Sequence, residues 1–206
     1  MPASIRTAIA RGADILVFLD ADCVASSDLV PAYVRALAEH PDAVVAGPVT
    51  YMREGELRTV RPDPHPARPN PAPGELVAAD NYNLFWSLSF AIDRGSWQQV
   101  GGFDEAYTGY GGEDTDLGVV AHERGVDLVW VGGAHAYHQH HPVSNPPVEH
   151  LADILRNARV FHRRWGTWPM EGWLRAFADR GLVVAEAPPG AAPSRAWKPS
   201  RQPGPT

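Results

Sequence analysis

The chain has 206 residues, 44% of them hydrophobic, and a net charge of −6 with histidine neutral. That is enough apolar material for a domain with a real core, and it excludes both a largely disordered chain and the clustered basic face of a nucleic-acid binder. The single Cys23 excludes an internal disulfide, no apolar run reaches membrane-span length, and no signal-peptide core opens the chain, so a cytoplasmic protein without a transmembrane segment is expected.

Residues 3–11 predict a helix with Ile5, Ala8 and Ile9 on one face, closed by Gly12. The run Ile15-Leu16-Val17-Phe18-Leu19 predicts a strand buried on both faces of a parallel sheet. It ends in Asp20-Ala21-Asp22. Ligands of open α/β sheets gather at the carboxyl ends of strands, and alternation puts the two acids on one side, where a hard divalent cation would find them. A plain turn with an aspartate cap is the competing reading, although Ser26, Ser27 and Asp28 already suffice for capping. Leu29–Glu39 predicts a helix with Leu29, Tyr33, Ala36 and Leu37 inward, followed by a short strand at Ala43–Ala46.

The alternating prolines of residues 62–73 predict an extended surface loop, because each removes a donor and fixes φ. Residues 83–92 read as a strand, and a short helix is expected around Trp97–Val100. Trp86 and Trp97 are candidates for stacking on a sugar ring, set against the commoner fate of tryptophan as core.

The most unusual stretch is Gly109-Tyr110-Gly111-Gly112-Glu113-Asp114-Thr115-Asp116. Its glycines let the backbone take positive φ, and three carboxylates then open a helix that continues from Leu117 to Arg124. One of those acids serves as a helix cap in the plain reading; in the functional one another faces a cleft as a general base. A strand at Val126–Val131 leads to Tyr137-His138-Gln139-His140-His141, within a region that holds five of the nine histidines, and such a cluster after a strand is a metal-ligand candidate. After Pro146-Pro147, the residues Leu151, Ile154, Leu155, Ala158, Phe161 and Trp165 recur at helical spacing and form a core stripe. A last helix is expected over Thr167–Arg180. Residues 1–186 are read as one domain and 187–206 as a disordered Pro-rich tail.

Three blocks therefore stand in order: Phe18-Leu19-Asp20-Ala21-Asp22, Gly109 to Asp116, and Tyr137 to His141. Together they resemble the second half of a nucleotide-sugar glycosyltransferase of the GT-A fold, with the nearest likeness to the family 2 group whose C-terminal part is similar to the galactosyltransferases. The resemblance implies an α/β, Rossmann-like mixed sheet flanked by helices. It also implies an N-terminally truncated version, since the family's opening strand–helix–strand unit has no counterpart before residue 3, and the edge at Ile15–Leu19 would then be exposed.

By the same resemblance, Asp22 binds Mn²⁺ or Mg²⁺, and Asp20 contacts the donor ribose or a metal-bound water. His138 completes the metal site, with His140 and His141 as reserves. Asp114 is the base, and Glu113 contacts the acceptor or orients Asp114. Arg6, Gly111 and Gly112 fall on the donor side, and Trp86, Tyr110 and Asp116 on the acceptor side. The implied activity is metal-dependent transfer of a sugar, with inversion, from a nucleotide-diphosphate donor to an acceptor hydroxyl on a saccharide, lipid or small molecule. Peripheral membrane contact is compatible with it. The alternative is a catalytically inactive remnant that binds saccharide or a partner. A haloacid-dehalogenase-type phosphotransferase, suggested by residues 18–24, is set aside because its later acids should follow an apolar strand, whereas here they follow a glycine loop.

Overall fold

The computed structural model describes residues 3–56, 62–186 and 196–200. They fall into two units: Met1–Asp104 with Glu113–His141, and Glu105–Gly112 with Pro142–Thr206. The division passes through the glycine-acid stretch itself, between Gly112 and Glu113.

The first unit begins with α1 (Ala3–Ala10) and β1 (Ile15–Leu19), then β2 (Cys23–Ala25), α2 (Leu29–Glu39), β3 (Ala43–Ala46), β4 (Val49–Tyr51) and β5 (Leu76–Ala78). It continues with β6 (Ser89–Asp93), α3 (Arg94–Val100), α4 (Glu113–Glu123), β7 (Asp127–Val131) and β8 (Ala136–His138). Five strands form one sheet in the order β1-β6-β3-β7-β5, and three short ones form another in the order β2-β8-β4. Only β3–β7 is a parallel pair in the larger sheet, so the architecture is α/β with a mixed sheet flanked by helices.

Helix α2 buries Leu29, Ala32, Tyr33, Ala36 and Leu37, the i, i+3, i+4, i+7, i+8 stripe of an amphipathic helix. These residues share a core with Val45, Ala91, Val129 and Val131 of the sheet. The stripe carries one polar atom, and it is satisfied: the Tyr33 hydroxyl bonds Ser89 Oγ at 2.8 Å and accepts the Gly47 N–H at 2.9 Å. Gly47 is forced by proximity, since a Cβ there would lie 1.8 Å from the Ala134 carbonyl oxygen. An aromatic cluster also forms on the sheet, where Phe18 stacks on Phe90 with centroids 4.3 Å apart and Trp97 packs beside them. Asp93 caps α3 by accepting the Gly95 and Ser96 N–H groups, and Gly101 ends that helix in the left-handed region at φ 83°.

Three expectations need correction here. Strand β1 is not buried on both faces of a parallel sheet: it lies at the end of the strand order, antiparallel to β6, with Val17 38% and Leu19 40% exposed. The strand expected over 83–92 is only Ser89–Asp93, because Asn81 accepts the Asn83 N–H and starts a tight helical turn at Tyr82–Leu84. The proline loop is surface-lying in part, but Arg68 within it is buried; residues 57–61 fall outside the described set.

The second unit holds α5 (Leu151–Trp165), α6 (Glu171–Asp179), β9 (Val183–Glu186) and β10 (Ala196–Pro199). Its core joins Ile154, Leu155 and Ala158 of α5 to Leu174 and Phe177 of α6, with Val183 and Trp197. Within the stretch expected to be a disordered tail, residues 196–199 pair antiparallel with β9 and bury Trp197; the rest of 187–206, apart from Ser200, lies outside the described residues.

Tyr33→Phe should cost about 1–3 kcal/mol of stability, read from urea unfolding, because it strands the buried Gly47 N–H and the Ser89 hydroxyl while leaving the packing intact.

Candidate functional site

The acids after β1 and the histidines at and just beyond the end of β8 are brought together by pairing of two three-residue strands. Cys23 stands opposite His138 in the antiparallel β2–β8 ladder, and the Gln139 N–H donates to the Asp22 carbonyl at 2.8 Å. Asp22 Oδ2 lies 3.2 Å from His138 Nε2 and 3.4 Å from His141 Nε2. One ligand atom from each of the three lies within 4.8 Å of the others. His138, the first choice from sequence, is in this cluster; of the reserves, His141 joins it. His140 instead lines the adjoining hollow of about 510 Å³ with Asp20, Ala21, Asp22, Gln139 and His141.

Charge is concentrated here. Burial, reinforced by the Asp22 carboxylate and opposed by His138, holds the Asp20 carboxyl above its ordinary range. Burial beside Asp20 and Asp22 pushes the Cys23 thiol up to about 12, so it stays protonated and behaves as a small packed side chain. The donor set of one carboxylate oxygen and two imidazole nitrogens suits a first-row divalent ion and leaves coordination positions open. His135, another member of the histidine-rich stretch, is buried, bonds Thr50 Oγ1 through Nε2 at 2.8 Å, and is held neutral by burial. It is structural.

A line of rings runs from this cluster toward the proline loop. Tyr51 lies 5.0 Å from His138 and 6.5 Å from His65, and His65 lies 5.0 Å from Trp86. Trp86, expected on the acceptor side, is partly buried in this line, while Trp97 is core. Arg6 is exposed on α1 and is not among the residues that the cluster and hollow bring together.

At the start of α4, the Asp114 carboxylate takes the N–H of Thr115 at 2.6 Å, the Thr115 hydroxyl at 3.3 Å, and the backbone of Ser87. Burial nevertheless raises its carboxyl above the ordinary value, with those bonds pulling the other way. Ser87 precedes Leu88, whose carbonyl accepts the Asp20 N–H at 3.0 Å, so the two acid motifs are bonded to adjacent residues of one segment. Glu113 is partly buried as the first residue of α4. Asp116, expected on the acceptor side, is 2% exposed and lies on the buried face of α4 with Thr115, Leu117 and Gly118.

In the second unit, the glycine loop is organised by a residue the sequence reading missed. Asn157 of α5 is fully buried; its Nδ2 reaches the carbonyls of Thr108 (3.1 Å), Tyr110 (3.3 Å) and Gly111 (2.9 Å). Arg156 adds a bond to the Thr108 carbonyl and pairs with Asp153. Gly111 has φ 91° and packs so closely that a Cβ would sit 2.9 Å from Met170 Sδ; Gly112 has φ 96°. The Tyr110 ring is half-exposed and stacks on His150 at 4.3 Å and on Trp173 at 5.9 Å. A signal for Asn157 did exist: it is a polar residue in phase with the buried stripe of α5, three after Ile154 and four before Phe161.

Known proteins can now be set beside this geometry. Residues 76–142 match the family model for the N-terminal domain of galactosyltransferase, a span that includes Asp114 and His138. Two curated relatives are the validoxylamine A glucosyltransferases of Streptomyces hygroscopicus subsp. jinggangensis (strain 5008) and subsp. limoneus, each 43% identical over 44 residues, or 21% of this chain. The chain spans 10% of the length of these relatives. A solved structure of GalNAc-T7 with UDP, GalNAc and Mn²⁺ superposes with a TM-score of 0.47 and 16% identity, covering 68% of this chain and 30% of that one. The matched segment and the mixed α/β architecture are consistent with a GT-A glycosyltransferase, as the sequence resemblance implied. No helix among the described residues is long and apolar enough to cross a membrane.

Asn157→Ala should leave three loop carbonyls short of a donor, lower stability by about 1–3 kcal/mol, and speed amide hydrogen exchange over residues 108–112 relative to the rest of the chain.

Proposed function

We propose that this chain carries the metal-binding and acceptor-activating parts of an inverting, divalent-metal-dependent glycosyltransferase. The observation that carries this reading is the meeting of Asp22, His138 and His141, with the hydrogen-bonded segment 87–88 tying Asp114 to the neighbouring Asp20. Asp22, His138 and His141 would hold the cation, and their two imidazoles favour Mn²⁺ over the more strictly oxygen-seeking Mg²⁺. Such an ion, when bound, offsets charge on the departing nucleoside diphosphate.

The chain's own residues supply the rest. Asp114 takes the proton of the acceptor hydroxyl as that oxygen bonds the anomeric carbon, while the bond from that carbon to the diphosphate oxygen breaks and its electron pair leaves with the nucleotide. One base and one leaving group on opposite faces of the sugar give inversion without a covalent sugar–enzyme species. A carboxylate held above its ordinary range is a better proton acceptor than an exposed one at the same pH, provided it is ionised. Thr115 and Ser87 fix its direction, and Glu113 stands next to it on α4. Asp20 lines the hollow and would contact the donor there. In the second unit, Tyr110 presents a half-exposed ring in an aromatic patch of the kind that stacks on saccharides.

That same patch favours a second reading, a saccharide-binding module without turnover. The relatives named as glucosyltransferases make nucleoside diphosphate glucoses the first donors to screen.

With a productive donor and Mn²⁺, chelation should abolish transfer and Mn²⁺ restore it. Asp22→Ala and His138→Ala should weaken Mn²⁺ binding in calorimetry, and His140→Ala should not; equal Mn²⁺ affinity in all three variants would contradict the assignment. Asp114→Asn should lower kcat/KM by about 10²–10⁴ with Mn²⁺ affinity unchanged. An unaltered rate removes the base, and saccharide binding without transfer in the wild type leaves the module reading.

A stability change should accompany that loss. The folded state binds the Asp114 proton more tightly than the unfolded chain, so ionisation above the raised folded value costs stability, a cost absent below the ordinary 3.8. Asp114→Asn should therefore melt higher than wild type at pH 7.5, with the gap closing in melts near pH 3.

A further inference from the structure

We propose that Tyr51, His65 and Trp86 form a pyranose subsite beside the metal ligands, and that it receives the sugar being transferred, with His65 as the residue that hydrogen-bonds it. This rests on the reading of Asp22, His138 and His141 as ligands of a cation that grips the donor diphosphate.

The fold holds this row of rings in place. β4 runs parallel to β8 with Tyr51 opposite His138, and their ring centroids lie 5.0 Å apart. His65 comes from the proline loop, which is pinned on both sides of it. Before it, Pro64 bridges to Thr50, and the Asp63 N–H donates to Thr50 Oγ1 at 2.8 Å. After it, the Arg68 backbone N–H donates to the His65 carbonyl at 3.1 Å. The Arg68 side chain is buried, its guanidinium carbon 4.7 Å from the ring centroid of Trp130 and 5.5 Å from that of Trp86, so it fixes Trp86 as well as the loop. Its Nη2 donates to the Gly47 carbonyl at 3.3 Å. Pro64 and Pro66 flank His65 and fix φ on either side, so little conformational freedom is left for a ligand to freeze.

The chemistry of the row fits a sugar. Tyr51 is 45% exposed, His65 is exposed and Trp86 is half-buried. Successive rings meet edge to face, at 72° between Tyr51 and His65 and 82° between His65 and Trp86. Such rings share no plane for a flat nucleobase. A chair-shaped pyranose, with C–H groups on its faces and hydroxyls around its rim, rests on separate facets instead. His65 Nδ1 accepts the Ala67 N–H at 3.2 Å, which in the neutral ring puts the proton on Nε2 and makes that atom the donor to a sugar oxygen. Position then favours the transferred sugar. One end of the row is at His138, where the cation would hold the diphosphate. At the other end Trp86 precedes Ser87, whose backbone bonds the Asp114 carboxylate. A sugar in transfer lies between its diphosphate and the base.

The test reads binding without turnover, on the full chain. NMR with Mg²⁺ as a diamagnetic ion follows the Trp86 indole N–H and the His65 ring, and calorimetry with Mn²⁺ gives affinities. The probes are methyl glucoside and methyl galactoside, bare nucleoside diphosphates, and nucleoside diphosphate hexoses. Sugar-bearing probes should move both resonances and bare nucleotides neither. His65→Ala, at an exposed position, should cut the affinity gain of a sugar nucleotide over its bare nucleotide by about 3–10-fold, with Mn²⁺ and bare-nucleotide affinity unchanged. His65→Phe, which keeps a ring but not the donor, should lose as much. Trp86 is left intact as the reporter, since truncating it would uncover Arg68. Resonances unmoved by every sugar-bearing probe, or an undiminished gain in folded His65→Ala, overturn the proposal. Sugar nucleotides that bind without moving the two resonances overturn it too. If no nucleotide binds but the methyl hexosides move both resonances, the donor reading of the metal site fails and the pyranose subsite stands.

Discussion

The β2–β8 ladder is the constraint on which the candidate site depends. Each strand has three residues, and the pairing of Cys23 with His138 sets both ligand-bearing turns at once. β8 is also pinned on its other side, where it runs parallel to β4 with Tyr51 opposite His138. A slip of one residue would turn His138 to the opposite face and carry Gln139 and His141 out of register with Asp22. Two neighbours hold β8 against that slip, and the bond from Gln139 to the Asp22 carbonyl continues the ladder one step beyond the strands. A histidine contributed by a short strand can therefore be as well placed as one on a long element.

Electrostatics give that geometry its chemical meaning. Asp20 and Asp22 share one turn, and burial, reinforced by repulsion from the Asp22 carboxylate, raises the Asp20 carboxyl. In the proposed site a cation would relieve this repulsion, and two imidazoles beside Asp22 would complete a ligand set with room for outside groups. At α4 the proposed role is inverted: Asp114 would act as a carboxylate in a place that disfavours charge, and backbone N–H groups and the Thr115 hydroxyl are gathered around it. Sites that keep such groups ionised do so against the stability of the fold that houses them.

The sequence was most legible where one element is long or one motif is dense. Helix α2 was visible because Leu29, Tyr33, Ala36 and Leu37 recur at helical spacing, and the Asp20-Ala21-Asp22 turn because it follows an unbroken apolar run. His138 stood out for its place just after an aromatic in a histidine cluster. What escaped detection was short or non-local. Three-residue strands such as β2, β4 and β5 cannot show a period. β1 read as doubly buried because composition does not reveal which strand ends a sheet. The burial of Asp116 was not legible, because carboxylates are rarely buried and it stands in a run of three acids. Trp197 sat in a stretch whose prolines and glycines hid a packing residue, and Arg68 lay among prolines with no sequence sign of the two tryptophans that enclose it.

The central claim is that three side chains distant in sequence share one cation. Crystals soaked in Mn²⁺ and measured at the manganese absorption edge test it directly. The account predicts a single strong anomalous peak at coordination distance, about 2–2.5 Å, from Asp22 Oδ2, His138 Nε2 and His141 Nε2. A peak held by other residues, or none at saturating Mn²⁺, would contradict it.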